Sequence, residues 1–243
     1  MKKIALVTGA NKGLGYETSR VLAENGIKVL LGSRNLERGE KAVETLKSKG
    51  LDVELLHIDI SSAESIKKAV AEIESKYEKL DILVNNAGMI HNDEDWQANT
   101  VQDVAASTLR DTFETNFFGL VDLTQQLLPL IKKSEYGNIV NVSSILGSLS
   151  TGNDPGSDYY SVKPFAYNSS KAALNSFTIH LAAALKDEKI NVNSAHPGWV
   201  KTELGTQYAP LTVEDGAKTI VELSLKTSDE TSKFIHLGEE IPW

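Results

Sequence analysis

The chain of 243 residues contains no cysteine. Disulfides, thiolate catalysis and cysteine-ligated metals are therefore excluded. Basic charge is also scarce: 25 lysines and arginines face 33 acids, a formal net charge of −8. That balance argues against nucleic acid or an anionic membrane surface as a general partner, yet leaves room for a local basic pocket. No run approaches the roughly 18 apolar residues that span a bilayer. The opening MKKIALVTGA pairs two lysines with a short apolar run that leads directly into Thr8-Gly9-Ala10-Asn11, so a buried strand is expected there rather than a signal peptide. The expectation is a soluble, cytoplasmic protein whose partner is a small molecule, with no nucleic acid, membrane or metal involved.

What is present is an alternation. Short, β-branched runs at 4–7, 28–32, 53–58, 82–86, 138–144 and 190–196 are separated by amphipathic stretches such as ETSRVLAEN, RGEKAVETLKSK and SIKKAVAEIESKY. KFIHLG near the end reads as one more strand. A repeated strand–helix order implies an α/β fold, a doubly wound parallel sheet of about seven strands with helices on both faces. No repeat, linker or low-complexity tract interrupts it, so residues 1–243 are read as a single domain. The longest turn-rich stretch, SLSTGNDPGSDYYSVKP, suits a loop over a site.

TGANKGLG follows the first strand and opens the first helix, with Gly9, Gly13 and Gly15. Glycines at such a junction let the backbone approach a pyrophosphate, which the helix N-terminus stabilises. A carboxylate usually grips the ribose 2′-hydroxyl of NAD at the end of the second strand. Here GSRN places Arg34 there, with no acid until Glu37, and Lys12 lies inside the glycine loop. Two cations and a missing acid favour the 2′-phosphate of NADP(H).

Two tyrosine–lysine pairs, Tyr159/Lys163 and Tyr167/Lys171, stand at one-turn spacing. Lys163 precedes Pro164, and a residue before proline is pushed out of the helical region. Pro164 suits the first position of a new helix, on which Leu174, Phe177, Leu181 and Leu185 keep helical spacing. Tyr167 and Lys171 thus fall on one helix face, and Tyr159 and Lys163 in the approach to it. A phenol titrates near 10, and a neighbouring ammonium stabilises its phenolate, so such a pair can exchange a proton with an alkoxide. A serine hydroxyl can add a second hydrogen bond to the same oxygen.

TGANKGLG (8–15), NNAG (85–88), VSS (142–144) and YNSSK (167–171), with Asn116 in ETNFFG and PGWVKT (197–202), together resemble the short-chain dehydrogenase/reductase family along nearly the whole chain. The glycine loop and Arg34 are similar to its carbonyl-reductase branch. The resemblance implies a catalytic set of Asn116, Ser144, Tyr167 and Lys171. Tyr167 would be the acid/base and Lys171 its tuner, with Asn116 in a water-mediated relay and Ser143 mainly structural. It also implies that Asp59 bonds the adenine amino group, the alternative being that Asp59 caps the next helix. Asn86, Ala87 and Gly88 would line the ribose side, and Pro197, Gly198, Val200 and Thr202 the nicotinamide end. Asn11, Leu14 and Ile60 join the cofactor-binding positions, as do Tyr167 and Lys171 themselves. The segment between Ser144 and the catalytic helix is longer than in shorter members, and Tyr159 or Tyr160 there either walls the pocket or forms an exposed tip. His180 and His196 receive no catalytic role.

The candidate pocket residues Met89, Ile90, His91, Trp96, Ile145, Leu146, Trp199 and Tyr208 are mostly apolar or aromatic, with no basic cluster for a carboxylate. The implied activity is NADPH-dependent reduction of neutral ketones, ketoesters, aldehydes or quinones. The alternatives are a 3-oxoacyl-carrier-protein reductase and a non-catalytic NADP(H)-binding regulator. Family habit leans to a homo-oligomer, a dimer or tetramer.

Overall fold

The computed structural model describes residues 2–96 and 98–243. The strands are β1 Ile4–Val7, β2 Lys28–Ser33, β3 Val53–His57, β4 Ile82–Asn85, β5 Gly137–Val142, β6 Ile190–Ala195, β7 Phe234–His236 and β8 Glu239–Glu240. The helices are α1 Gly13–Glu24, α2 Leu36–Lys47, α3 Ala63–Lys76, α4 Ala106–Phe113, α5 Gly119–Ile131, α6 Leu149–Asn153, α7 Phe165–Ala184 and α8 Val213–Leu225. The sheet order is β3-β2-β1-β4-β5-β6-β7-β8. All pairs are parallel except β7 with β8.

Strand alternation explains why both faces are covered. Leu6, Leu30, Leu83 and Ile139 point to the face closed by α3, α5 and α7. Their neighbours Val7, Leu31, Val84 and Val140 point to the face closed by α1, α2 and α8. A sheet buried on both sides needs apolar residues at nearly every position, which is why these strands read as continuous runs. The exceptions are asparagines. Asn85 Nδ2 donates to Asn141 Oδ1 (2.9 Å) and Asn141 Nδ2 to Thr178 Oγ1 (2.9 Å), which lies 2.9 Å from Ser194 Oγ. This buried polar ladder joins the C-terminal half of the sheet to α7, and its members hold one another in a medium where an unpaired amide would cost free energy.

Two expectations are revised. The sheet has eight strands rather than about seven, because β8 turns back on β7 through Leu237 (φ 47°) and Gly238 (φ 84°), the left-handed pair of a tight hairpin. Pro164 precedes α7 as its N-cap instead of occupying its first turn. Chain order reverses between β1 and β4, and a crevice at the carboxyl ends of those strands is where open α/β sheets bind ligands.

Candidate active site

The first wall of the crevice is the glycine loop. Helices α2, α3 and α8 each carry a capping side chain (Asn35, Ser62 and Thr212) and an acidic residue in the first turn. Helix α1 has neither: Lys12 at its N-cap makes no capping bond. The partial positive charge of that terminus is therefore left for an anion from outside the helix. Asn86, expected to line the ribose, turns its amide beneath the loop instead. Its Nδ2 donates to the Thr8 carbonyl (2.8 Å) and the Gly9 carbonyl (3.2 Å), while Asn86 N–H and Ala87 N–H both donate to Thr8 Oγ1 (3.0 Å). It braces the cradle, and Gly15 leaves room for that brace.

At the rim, Arg34 is exposed just past β2, and Lys12 pairs with Glu203 of the segment after β6. Arg38, in the first turn of α2, lies near enough to lower the Glu203 carboxyl together with Lys12, whose hydrogen bond is the larger effect. Lys12 and Arg38 therefore converge at one edge, and Arg34 just precedes the Asn35 cap of α2. The sequence reading missed Arg38, which stands four residues beyond Arg34. Asp59 does not cap α3, which is the work of Ser62; its Oδ1 accepts from Ser61 N–H (3.0 Å) and Ser61 Oγ (2.7 Å). Ile60 has its side chain in the core, so it can offer only backbone to a ligand.

The opposite wall carries Ser144, Tyr167 and Lys171. Ser144 ends the β5 run and caps a short 3₁₀ turn, its Oγ accepting from Leu146 N–H (3.2 Å). A Cβ at Gly147 would stand 2.6 Å from the Lys171 backbone, so a glycine there lets this turn press against α7. Tyr167 is 6% exposed, its phenol near enough to Ser144 to feel it, with the Trp96 ring edge-on at 5.5 Å. One turn on, the Lys171 Nζ donates to the Val142 carbonyl (2.8 Å) and lies 5.7 Å from the Tyr167 ring centroid. Burial pushes the phenol up to about 12, offset in part by Ser144, and pushes the ammonium down to about 8. The sequence led to the expectation that the ammonium would lower the phenol; in this geometry desolvation is the larger effect on the phenol.

Asn116 sits in a π turn, Glu114–Phe118, between α4 and α5. Its Nδ2 donates to the Met89 carbonyl (2.8 Å) and Ser170 Oγ (3.0 Å), and its Oδ1 accepts from Met89 N–H (2.8 Å). The side chain is thus satisfied by protein, clamping the NNAG strand end to α7, with Gly88 beside both Asn116 Oδ1 and Lys171 Nζ. The other tyrosine frame lies outside. Tyr159 is exposed, and Lys163 packs over the ring of Tyr160 rather than Tyr159 (4.8 Å) and bonds the Gly152 carbonyl.

The PGWVKT loop closes the crevice from the third side. Thr202 lies against Gly13, and Val200 packs on α8 at Gly216 beside Leu14. His196 is buried and neutral, held down to about 3 by desolvation and by His236. Its Nδ1 accepts from Ile145 N–H (3.2 Å) and, at 3.4 Å, from Gly198 N–H, so it ties the Ser144 turn to the Pro197–Gly198 turn. Ser143, its backbone paired to β6, keeps a buried hydroxyl with no protein partner among the described residues. His180 is exposed on α7. On this side Trp199 is 52% and Tyr208 79% exposed. Among the described residues no cluster suits a metal ion, and no helix is long and apolar enough to cross a membrane.

A glycine cradle on an uncapped helix, facing a buried serine, tyrosine and lysine across the switch point of a doubly wound sheet, defines an α/β protein of the Rossmann type. The short chain dehydrogenase family model matches residues 3–212, and the chain belongs to that family. A short-chain dehydrogenase of Penicillium roqueforti is 37% identical, with 98% of each chain covered. Carbonyl reductase [NADPH] 1 of Mus musculus is 31% identical, covering 100% of this chain and 99% of its own. The crystal structure of NADPH-bound carbonyl reductase from chicken fatty liver superposes with a TM-score of 0.85 at 26% identity, covering 100% of this chain and 99% of that one. The chain is accordingly a carbonyl/alcohol oxidoreductase.

Proposed function

We propose that the protein is an NADPH-dependent carbonyl reductase acting on neutral ketones, ketoesters, aldehydes or quinones, with Tyr167 as proton donor. The observation that carries this reading is the buried Tyr167 phenol, beside Ser144 and followed one turn later by Lys171, at the mouth of the glycine-loop crevice. The residues present fit a phosphorylated dinucleotide. The uncapped N-terminus of α1 suits its pyrophosphate, and Lys12, Arg34 and Arg38 suit a 2′-phosphate. When bound, the nicotinamide supplies the hydride.

The chain's own residues do the rest. Ser144 Oγ and Tyr167 Oη converge on one carbonyl oxygen, and as negative charge develops there Tyr167 releases its proton to it. A phenol held near 12 stays protonated at neutral pH, ready to donate. Lys171, still largely charged at neutral pH, offsets the phenolate left behind. Asn116 fixes Met89 and Ser170, and so the spacing between the NNAG strand end and the catalytic helix. Trp96, Trp199 and Tyr208 offer an apolar, partly open mouth without cationic side chains of their own, which favours an uncharged substrate.

Oxidation of NADPH and NADH against a panel of ketones, quinones and oxoacyl thioesters tests the reading. Turnover of neutral carbonyls with NADPH is expected. Turnover confined to acyl thioesters, or equal rates with the two cofactors, would refute it. Tyr167→Phe is expected to abolish reduction with cofactor affinity kept, while Tyr159→Phe stays active.

A further inference from the structure

The N-terminus of α7 lacks a cap of its own. Pro164 stands at the N-cap and contributes no side-chain acceptor, so the N–H groups of Phe165, Ala166 and Tyr167 need partners from elsewhere. All three are met by the segment after β4. Glu94 Oε1 accepts from Ala166 N–H (2.8 Å) and Glu94 Oε2 from Tyr167 N–H (2.8 Å). Thr100 Oγ1 accepts from Phe165 N–H (2.9 Å) and donates to Glu94 Oε1 (3.1 Å). Glu94 is 8% exposed, so this carboxylate is buried against the N-terminal end of a 20-residue helix.

The clamp acts on the reactive residue itself. One of the two N–H groups gripped by the carboxylate belongs to Tyr167, and Trp96, two residues beyond Glu94, meets the Tyr167 ring edge-on. Backbone and ring of Tyr167 are thus both met by Glu94 and Trp96, and the residue that begins the helix by Thr100.

We propose that Glu94 is a positioning residue for catalysis, its carboxylate fixing the first turn of α7 so that the Tyr167 phenol keeps register with Ser144. This rests on the reading of Tyr167 as proton donor. Displacements of about 1 Å in a reacting group cost on the order of 100-fold in rate. Glu94→Gln keeps the size but offers one acceptor to two N–H groups and no charge, and a kcat fall of about 10- to 100-fold is expected. The fall is read at a temperature where the variant is fully folded. KM for the cofactor stays within about twofold of wild type, because the glycine loop is untouched. Glu94→Asp, which restores the charge on a shorter stem, recovers part of the loss. A purely structural cap would lower the thermal midpoint and leave kcat of the folded enzyme unchanged, and that result overturns the proposal. If Glu94→Gln does not fold, Thr100→Val decides. It removes one hydroxyl from the same clamp at nearly constant volume, and a several-fold loss of kcat is expected where a wild-type kcat overturns the proposal. Tyr167→Phe is assayed alongside: an active Tyr167→Phe refutes the proton-donor reading, whereas an inactive Tyr167→Phe beside a fully active Glu94→Gln refutes only the positioning role.

Discussion

Adding one methyl group at Gly15 tests whether the glycine cradle is built to approach a phosphate. A Cβ there would stand 2.5 Å from Asn86 Nδ2, 2.6 Å from the Gly9 carbonyl oxygen and 2.9 Å from Ala10 Cα. Two of the three are main chain, and the third is held by the Thr8 carbonyl at 2.8 Å, so none is a flexible tip that can swing aside. Real Cβ atoms stay beyond 3.0 Å, and the loop must part from α1 by at least about 0.4 Å. Overpacking of this kind costs about 1–3 kcal/mol of stability. The same displacement moves the N–H groups at the helix start, and a loss of about 1.4 kcal/mol of their interaction weakens cofactor binding about tenfold. Gly26→Ala separates the two effects. Gly26 has φ +79° with nothing within 4 Å of an added Cβ, so alanine there pays only left-handed strain, about 1–2 kcal/mol, far from the crevice. Thermal midpoints and cofactor dissociation constants by fluorescence quenching are measured for both. Both variants lose stability; only Gly15→Ala loses affinity. Wild-type affinity in Gly15→Ala, or an equal loss in Gly26→Ala, refutes the cradle.

Cofactor choice and pH dependence provide two more tests. Arg34→Ala and Arg38→Ala are each expected to raise KM for NADPH about tenfold and leave KM for NADH within about twofold, since a bidentate guanidinium–phosphate contact is lost in one case only; equal effects on both cofactors in steady-state assays would remove the 2′-phosphate from this rim. Lys171 is held down to about 8, so it loses its charge as pH rises through that value, and the phenolate produced by reduction loses its counter-charge. The pH profile of kcat/KM for reduction is expected to be level below about 8 and to decline above it, and a level profile to pH 10 would show that Lys171 is not the group that matters. The same depression makes the unfolded chain bind more protons between the folded value and the ordinary lysine value of 10.5, so this group's contribution to stability rises with pH across that window.

The legible part of the molecule was local. IALV, read as a strand from four apolar residues, is β1 residue for residue, and Pro164 marked the start of α7 to within one position, because proline geometry acts on its immediate neighbours. The two tyrosine frames separated for the same reason, and the structure buries the second while leaving Tyr159 of the first exposed. β8 was missed because two residues of strand carry no periodicity, and only the left-handed Leu237–Gly238 pair announces the hairpin. The π turn around Asn116 escaped because it shifts the helical phase that a period of 3.6 depends on.

The hidden features that bear on the site are pairings across long sequence separations. Lys12 meets Glu203 across 191 residues and Ala166 meets Glu94 across 72. Within HNDEDW, Glu94 reads as one more solvated acid in an acidic loop, and its Asp93 and Asp95 neighbours strengthen that impression. Nothing in composition or spacing distinguishes it, since its burial exists only once the segment after β4 meets the N-terminus of α7. The asparagines of β4 and β5 make the opposite point. They look like flaws in buried strands, yet each finds the other because parallel register places Asn85 opposite Asn141. Topology is what converts both kinds of polar residue from apparent surface or defect into parts that hold α7 in place, and α7 carries the tyrosine proposed as proton donor.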